Sequence, residues 1–200
     1  MDIKEILYAE IDKIGGKDVI RTQLSTDISN SKQIINTLLD KCSVSLNKAN
    51  QTEDEYAMFG EALLHFLLTM AMIPAERKIV IDNIDIDILI PNSKNLKTDD
   101  EKALIIYFLK NKKENINDTI RKISEIQKNK NNIWLVSSKD IKSKHNTFIV
   151  TSTSSPPHPP PSLSAYDDDY AERPIYPFCE ILIKINEFLK NINYTGLKIF

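Results

Sequence analysis

The stretch Glu76–Asn92, ERKIVIDNIDIDILIPN, decides how this chain is read. It divides at Asn83 into two apolar runs, RKIVID and IDIDILI, and Pro91-Asn92 ends the second, the pattern of a β-hairpin. Inside the second run stand Asp85 and Asp87, two residues apart. Alternation at period two puts both carboxylates on one face of a strand and the isoleucines on the other. Such a pair is either the wet face of a hairpin or half of a metal site.

Upstream the texture is helical. Apolar residues at 3, 6, 7, 11 and 14 predict a first helix that Gly15-Gly16 stops, and SKQIINTLLDKCSVSLNK predicts a second. A third begins at Thr52, where Thr52 and Glu55 form a capping-box pattern, and ends before Pro74. Residues 17–29 fit neither template. Downstream, ALIIYFL (103–109) is a continuous apolar run, expected of a strand covered on both faces. Ile116, Ile120, Ile123 and Ile126 form one helical stripe, and NIWLVSS and NTFIVTS are two further strands. FCEILIKINEFLKNIN predicts a last helix and GLKIF a short closing strand.

Helices first, then hairpin, buried strand, crossover helix and strand predict an α/β (α+β) protein with a mixed central sheet and flanking helices. Four regions follow: a helical N-terminal region (1–50), an α/β core (51–150), a Pro-rich surface loop (151–176), and a C-terminal helix and short strand packed on the core (177–200). Five prolines among residues 156–161 favour polyproline II. That loop either carries the chain across the sheet or presents a ligand for an aromatic groove. Asp167–Asp169 reads as a solvated acidic turn, lacking the glycine and spaced oxygens of a calcium loop.

Composition excludes several classes. The 200 residues are 42% hydrophobic and 27% charged, with a net charge of −2, so no global field attracts nucleic acid or an acidic membrane. The four glycines, at 15, 16, 60 and 196, assemble no phosphate-cradling loop, which removes most kinases, ATPases and dinucleotide enzymes. Cys42 and Cys179 form neither a disulfide framework nor a zinc set, and a reducing, cytoplasmic setting is expected. The N-terminus lacks an apolar signal core, and ALLHFLLTMAMIPA is too short to span a bilayer. No serine or cysteine stands in a nucleophile context, and the three histidines show no metal spacing. His65 and Trp134 read as core residues.

A helix carrying Glu61 in GEALLHFLL, a strand pair carrying Asp87 in IDIDILIP, and a strand ending in Lys110 in ALIIYFLK succeed one another across residues 52–137. This order resembles the PD-(D/E)xK nuclease superfamily, in which a helix glutamate, a post-hairpin aspartate and a Glu/Asp-x-Lys strand converge on Mg²⁺. The resemblance implies a restriction-endonuclease-like core. It implies Glu61, Asp87 and Lys110 as catalytic residues, Glu61, Asp85 and Asp87 as ligands of Mg²⁺ or Mn²⁺, and a phosphodiester substrate in DNA or RNA. The chain departs from the pattern at Phe108, which stands where the family has an acid and cannot ligate magnesium. Either the acid is relocated, to Glu114 or Asp118 on the following helix, or the protein is an inactive relative.

Two functional readings follow. Between Lys110 and Lys144 ten basic residues face four acidic ones. Lys112, Lys113, Arg121 and Lys122 are therefore candidate contacts to a nucleic-acid backbone, against the plainer reading of a solubilising face. The alternative to a nuclease is a protein-interaction or scaffold subunit using the Pro-rich loop or a sheet edge. Taken singly, Glu61, Asp87 and Lys110 each suit an ordinary salt-bridged surface; their order carries the resemblance.

Overall fold

The computed structural model describes residues 3–48, 52–110, 116–141, 143–151 and 173–194. The proline run, Glu114, Lys112, Lys113 and the GLKIF terminus lie outside the described residues.

Four helices open the chain: α1 (Ile3–Lys13), α2 (Gly16–Thr26), α3 (Asn30–Lys48) and α4 (Glu53–Met70). Gly15 and Gly16 take φ of 110° and 79°, so the turn after α1 uses the backbone freedom that glycine alone has at little cost. The residues from 17 onward that fitted neither template form α2, a helix of weak propensity held by burying Ile20 and Leu24. At the start of α4 the Glu55 carboxylate accepts a 2.5 Å bond from the Thr52 N–H, the reach-back half of the expected capping box.

The strands β1 (Glu76–Ile81), β2 (Ile84–Ile90), β3 (Leu104–Phe108), β4 (Ile133–Ser137), β5 (Asn146–Ile149) and β6 (Ile175–Pro177) form one sheet in chain order. β1, β2 and β3 are antiparallel neighbours, and β3 to β6 run parallel. The mixed sheet follows expectation. Short α5 (Ser93–Thr98) follows β2, α6 (Ile116–Ile126) precedes β4, and α7 (Ile181–Asn191) follows β6. α5 and β6 are additions to the sequence reading: six residues with few apolar positions, and three residues at the far end of the Pro-rich stretch, give no periodicity to read. The loop therefore stops short of Ile175, which already pairs with Thr147.

Two cores sandwich the sheet. On one side, α1, α3, α4 and α7 bury Leu63, Leu67, Ile106, Phe108, Val136 and Phe148. On the other, α6 and α5 cover Ile105, Ile133 and Leu135 with Ile123 and Leu96. Each such fully buried side chain stabilises the fold by about 2 kcal/mol. β3 contributes to both cores, as its unbroken apolar run predicts. The isoleucine stripe of α6 holds at Ile120, Ile123 and Ile126, whereas Ile116 is 38% exposed at the helix start.

The opening hairpin departs from simple alternation. Asp82 and Asn83 both take positive φ, 49° and 62°, which gives a two-residue turn of the kind that matches strand twist. Ile84 and Ile86 then pack in the α6-side core, while Ile88 and Ile90 pack in the α4-side core. The strand changes face between them. On β1 the same change falls at Lys78, whose φ is 46°, between Arg77 opposite Ile88 and Ile79 opposite Ile86. The isoleucines of β2 therefore do not share one face, because a left-handed residue on the partner strand reverses the pleat. That conformation costs a lysine about 1–2 kcal/mol.

Candidate active site

Glu61, Asp87 and Lys110 meet at the reversal point of the hairpin, where the α4-side core ends. Glu61 comes from α4, just after Gly60. A Cβ on Gly60 would lie 2.8 Å from a Val150 methyl and 3.7 Å from the Phe108 ring, so only glycine lets the helix approach the sheet this closely. Asp87 comes from β2 at the register position facing Lys78, where the face change releases its side chain toward the neighbouring strand. Lys110 follows directly on β3.

The Lys110 ammonium donates to Glu61 Oε2 at 2.9 Å and to Asp87 Oδ1 at 2.5 Å. Asp87 Oδ2 accepts the Phe108 backbone N–H at 2.8 Å. The side chains of Glu61 and Asp87 are only 8% and 13% exposed, and that of Lys110 is 25% exposed. Glu61 Oε1 is buried with no hydrogen-bond partner, and Lys78 Nζ stands 3.8 Å from it. Burial pushes the Asp87 carboxyl up, more than the bonds from Lys110 and the Phe108 N–H bring it down. Burial alone would lower Lys110, but its hydrogen bonds to Asp87 and Glu61, with the two negative charges, outweigh it and raise the amine above its ordinary value. Lys110 is therefore a permanent cation at neutral pH.

Three further groups border Glu61, and two of them, Arg77 and Lys78, the sequence did not single out. Burial lowers the Arg77 guanidinium pKa and the Glu61 charge opposes that shift, while its Nε is buried without a hydrogen-bond partner. Lys78 approaches from the mouth of the site. His65, one turn along α4, is pushed down to about 4 by burial and by Arg77, so it is neutral at physiological pH. The reading of His65 as a core histidine missed this setting, although the spacing Glu61–His65 puts both on one helical face. The dipeptide Arg77-Lys78 at the head of an apolar hairpin was the signal for the other two. Counting charges, two carboxylates face three cations, so the site has a surplus that suits an anion.

The other sequence-predicted residues fall elsewhere. Asp85 is exposed and takes no part in the ion pairs that join Glu61, Asp87 and Lys110. Phe108, at the position where the resemblance expects an acid, is fully buried in the α4-side core. Asp118 is on the exposed side of α6, 3.5 Å from Arg121, and Lys122 is exposed on the same helix. Trp134 is 6% exposed and donates its indole N–H to the Asn131 carbonyl, as a core residue does. Burial drives the Cys42 thiol up to about 12 and raises Cys179 as well, which suits structural rather than reactive cysteines.

Do the residues present suit a divalent cation? Among the described residues no three His, Cys, Asp or Glu side chains are grouped to hold one. Glu61 and Asp87 nevertheless supply two hard oxygen donors, one of them the orphaned Glu61 Oε1. Magnesium is commonly held by one or two carboxylates, with water and substrate phosphate oxygens completing the shell. The donor set fits an ion of that kind and not a protein-enclosed one.

No helix among the described residues is long and apolar enough to cross a membrane. No protein-family model matches the chain, and no curated protein sequence matches it either. Solved structures do. A complex of restriction endonuclease PspGI with substrate DNA aligns with a TM-score of 0.59 at 14% identity, covering 96% of this chain and 94% of that one. Metal-depleted Ecl18kI in complex with uncleaved DNA aligns with a TM-score of 0.48 at 10% identity, covering 99% of this chain and 82% of that one. With its mixed six-stranded sheet, flanking helices and a near end-to-end match to the first of these, the chain has a restriction-endonuclease-like fold.

Proposed function

We propose that this protein acts on DNA as a metal-dependent phosphodiesterase, through Glu61, Asp87 and Lys110, with the family's strand acid missing at Phe108. The observation that carries the reading is the convergence of three ionisable side chains from three separate elements on one half-buried point. A buried ion pair is weak support for a fold, since apolar residues of similar volume usually serve as well or better. Its assembly beside an orphaned carboxylate oxygen and surplus positive charge is better explained by a substrate.

In this reading Glu61 and Asp87 would hold Mg²⁺ or Mn²⁺, and the ion would supply Lewis-acid stabilisation of charge on a phosphate oxygen. Lys110, kept protonated by its two carboxylates, donates hydrogen bonds to the attacking water or to the phosphate, and does not serve as a general base. Apolar side chains behind the site, Phe108 foremost, exclude water from that side. Arg121 and Lys122, with Lys112 and Lys113, contact the DNA backbone. Asp118, held by Arg121, and Glu114 are the candidates for a relocated acid.

A cleavage assay tests this. Purified protein is offered duplex, single-stranded and branched DNA, and RNA, with Mg²⁺ or Mn²⁺, beside an Asp87→Asn variant. Metal-dependent cleavage of DNA that falls at least ~100-fold in the variant is expected. Absence of cleavage by the unaltered protein under every condition would sink the enzymatic reading. The observation that favours the second reading, a non-enzymatic binding subunit, is the fully buried Phe108 itself.

A further inference from the structure

Lys78 is a place where the hairpin gives up regularity. Its φ of 46° is unusual for a non-glycine residue in a strand, and Lys78 and Asp87 are the one position skipped in the register from Glu76–Leu89 to Ile81–Ile84. Strain of this kind persists where surrounding structure enforces it and concentrates at functional sites. Here its consequence is visible: the strand changes face, and Lys78 stands at the mouth of the site, 3.8 Å from Glu61 Oε1.

The three cations near Glu61 are not equivalent. Lys110 is committed to two carboxylates, and Arg77 has a buried Nε. Lys78 is 69% exposed, and its 3.8 Å separation from Glu61 Oε1 is an ion pair too long to be a hydrogen bond. Its ammonium is thus anchored by charge at one end of the cluster while its N–H donors remain directed to solvent. That is the condition for recruiting an anionic oxygen from outside.

Resting on the reading of the site as a DNA phosphodiesterase, we propose that Lys78 is a substrate-binding residue that takes a phosphate of the DNA backbone at the mouth of the site, and that its left-handed backbone exists to aim it there. Lys78 and Lys110 then bracket Glu61, one on the solvent side and one on the core side.

The test compares Lys78→Ala, Lys78→Arg and Lys78→Gly with the unaltered protein. A fluorescent duplex DNA is titrated without divalent metal over a range of salt, and cleavage is measured with Mg²⁺. Lys78→Ala is expected to weaken DNA binding about tenfold and to reduce the slope of log affinity against log salt by about one. KM should rise with little change in kcat. Lys78→Arg should restore most of the binding. Lys78→Gly should melt at a higher temperature than Lys78→Ala, because glycine accepts the positive φ, yet bind DNA as poorly. Unchanged affinity and slope in Lys78→Ala, in a protein that still cleaves DNA, overturns this inference alone. An unaltered protein that binds DNA but does not cleave it removes the enzymatic reading, and the Lys78 slope still decides the phosphate contact. No DNA binding by the unaltered protein overturns both.

Discussion

Two charged regions were candidates for contact with nucleic acid, and they are built in opposite ways. On α6, Asp118 and Arg121 are three residues apart on one helix, 54% and 73% exposed, and 3.5 Å from each other. At the hairpin, Glu61, Asp87 and Lys110 come from α4, β2 and the end of β3, and bind within 2.9 Å with exposures between 8% and 25%. The first pair needs only a helix; the second needs the whole sheet. An exposed pair contributes ~0–1 kcal/mol and is screened by salt. Partners in the half-buried cluster depend on one another, because removing one leaves its neighbours desolvated and unpaired.

Lys110→Met draws this difference most sharply. It leaves Glu61 and Asp87 facing each other with no cation between them, and a loss of roughly 2–3 kcal/mol is expected near neutral pH. Chemical denaturation gives the value. Mg²⁺ or Mn²⁺ should raise the melting temperature of the variant more than that of the unaltered protein, since the ion can then take the seat of the ammonium. An unaltered stability in Lys110→Met would mean that the cluster is solvated like the α6 pair.

His65 gives an intermediate effect with a definite sign. Its pKa is near 4 in the folded chain against 6.5 unfolded, so the unfolded state gains a proton first as pH falls. The stability it contributes is present above pH ~6.5 and lost as pH drops through ~4. His65→Gln should flatten stability against pH across that window, read from denaturation midpoints. A parallel curve would show that neither burial nor Arg77 shifts the imidazole. The smallest effect belongs to Arg121→Ala: stability should change by less than ~0.5 kcal/mol, and any loss of DNA affinity should vanish at high salt. A large stability loss there would erase the contrast between the two regions.

The hairpin shows how far reading by period carries. Two strands about Asn83, the covered strand at 103–109, the long helix closed by Pro74 and the order Glu61, Asp87, Lys110 were all legible, because each is a local pattern. The period-two rule also assumes an uninterrupted pleat, and the isoleucines of β2 break it by passing from one core to the other between Ile86 and Ile88. Nothing local in RKIV marks Lys78 as left-handed. Lys78 and the Asp87 that faces it in the register are neighbours only across strands.

Local pattern was enough for most of the elements and their order: apolar spacing sets helix against strand, and Gly15-Gly16, Asn83 and Pro91 mark where they stop. Which charges meet was settled by packing between distant parts of the chain. Gly60 brings α4 against Val150 and Phe108, and the reversed pleat turns Asp87 toward Lys110. Both depend on contacts between residues far apart in the chain, whose energies no local pattern encodes.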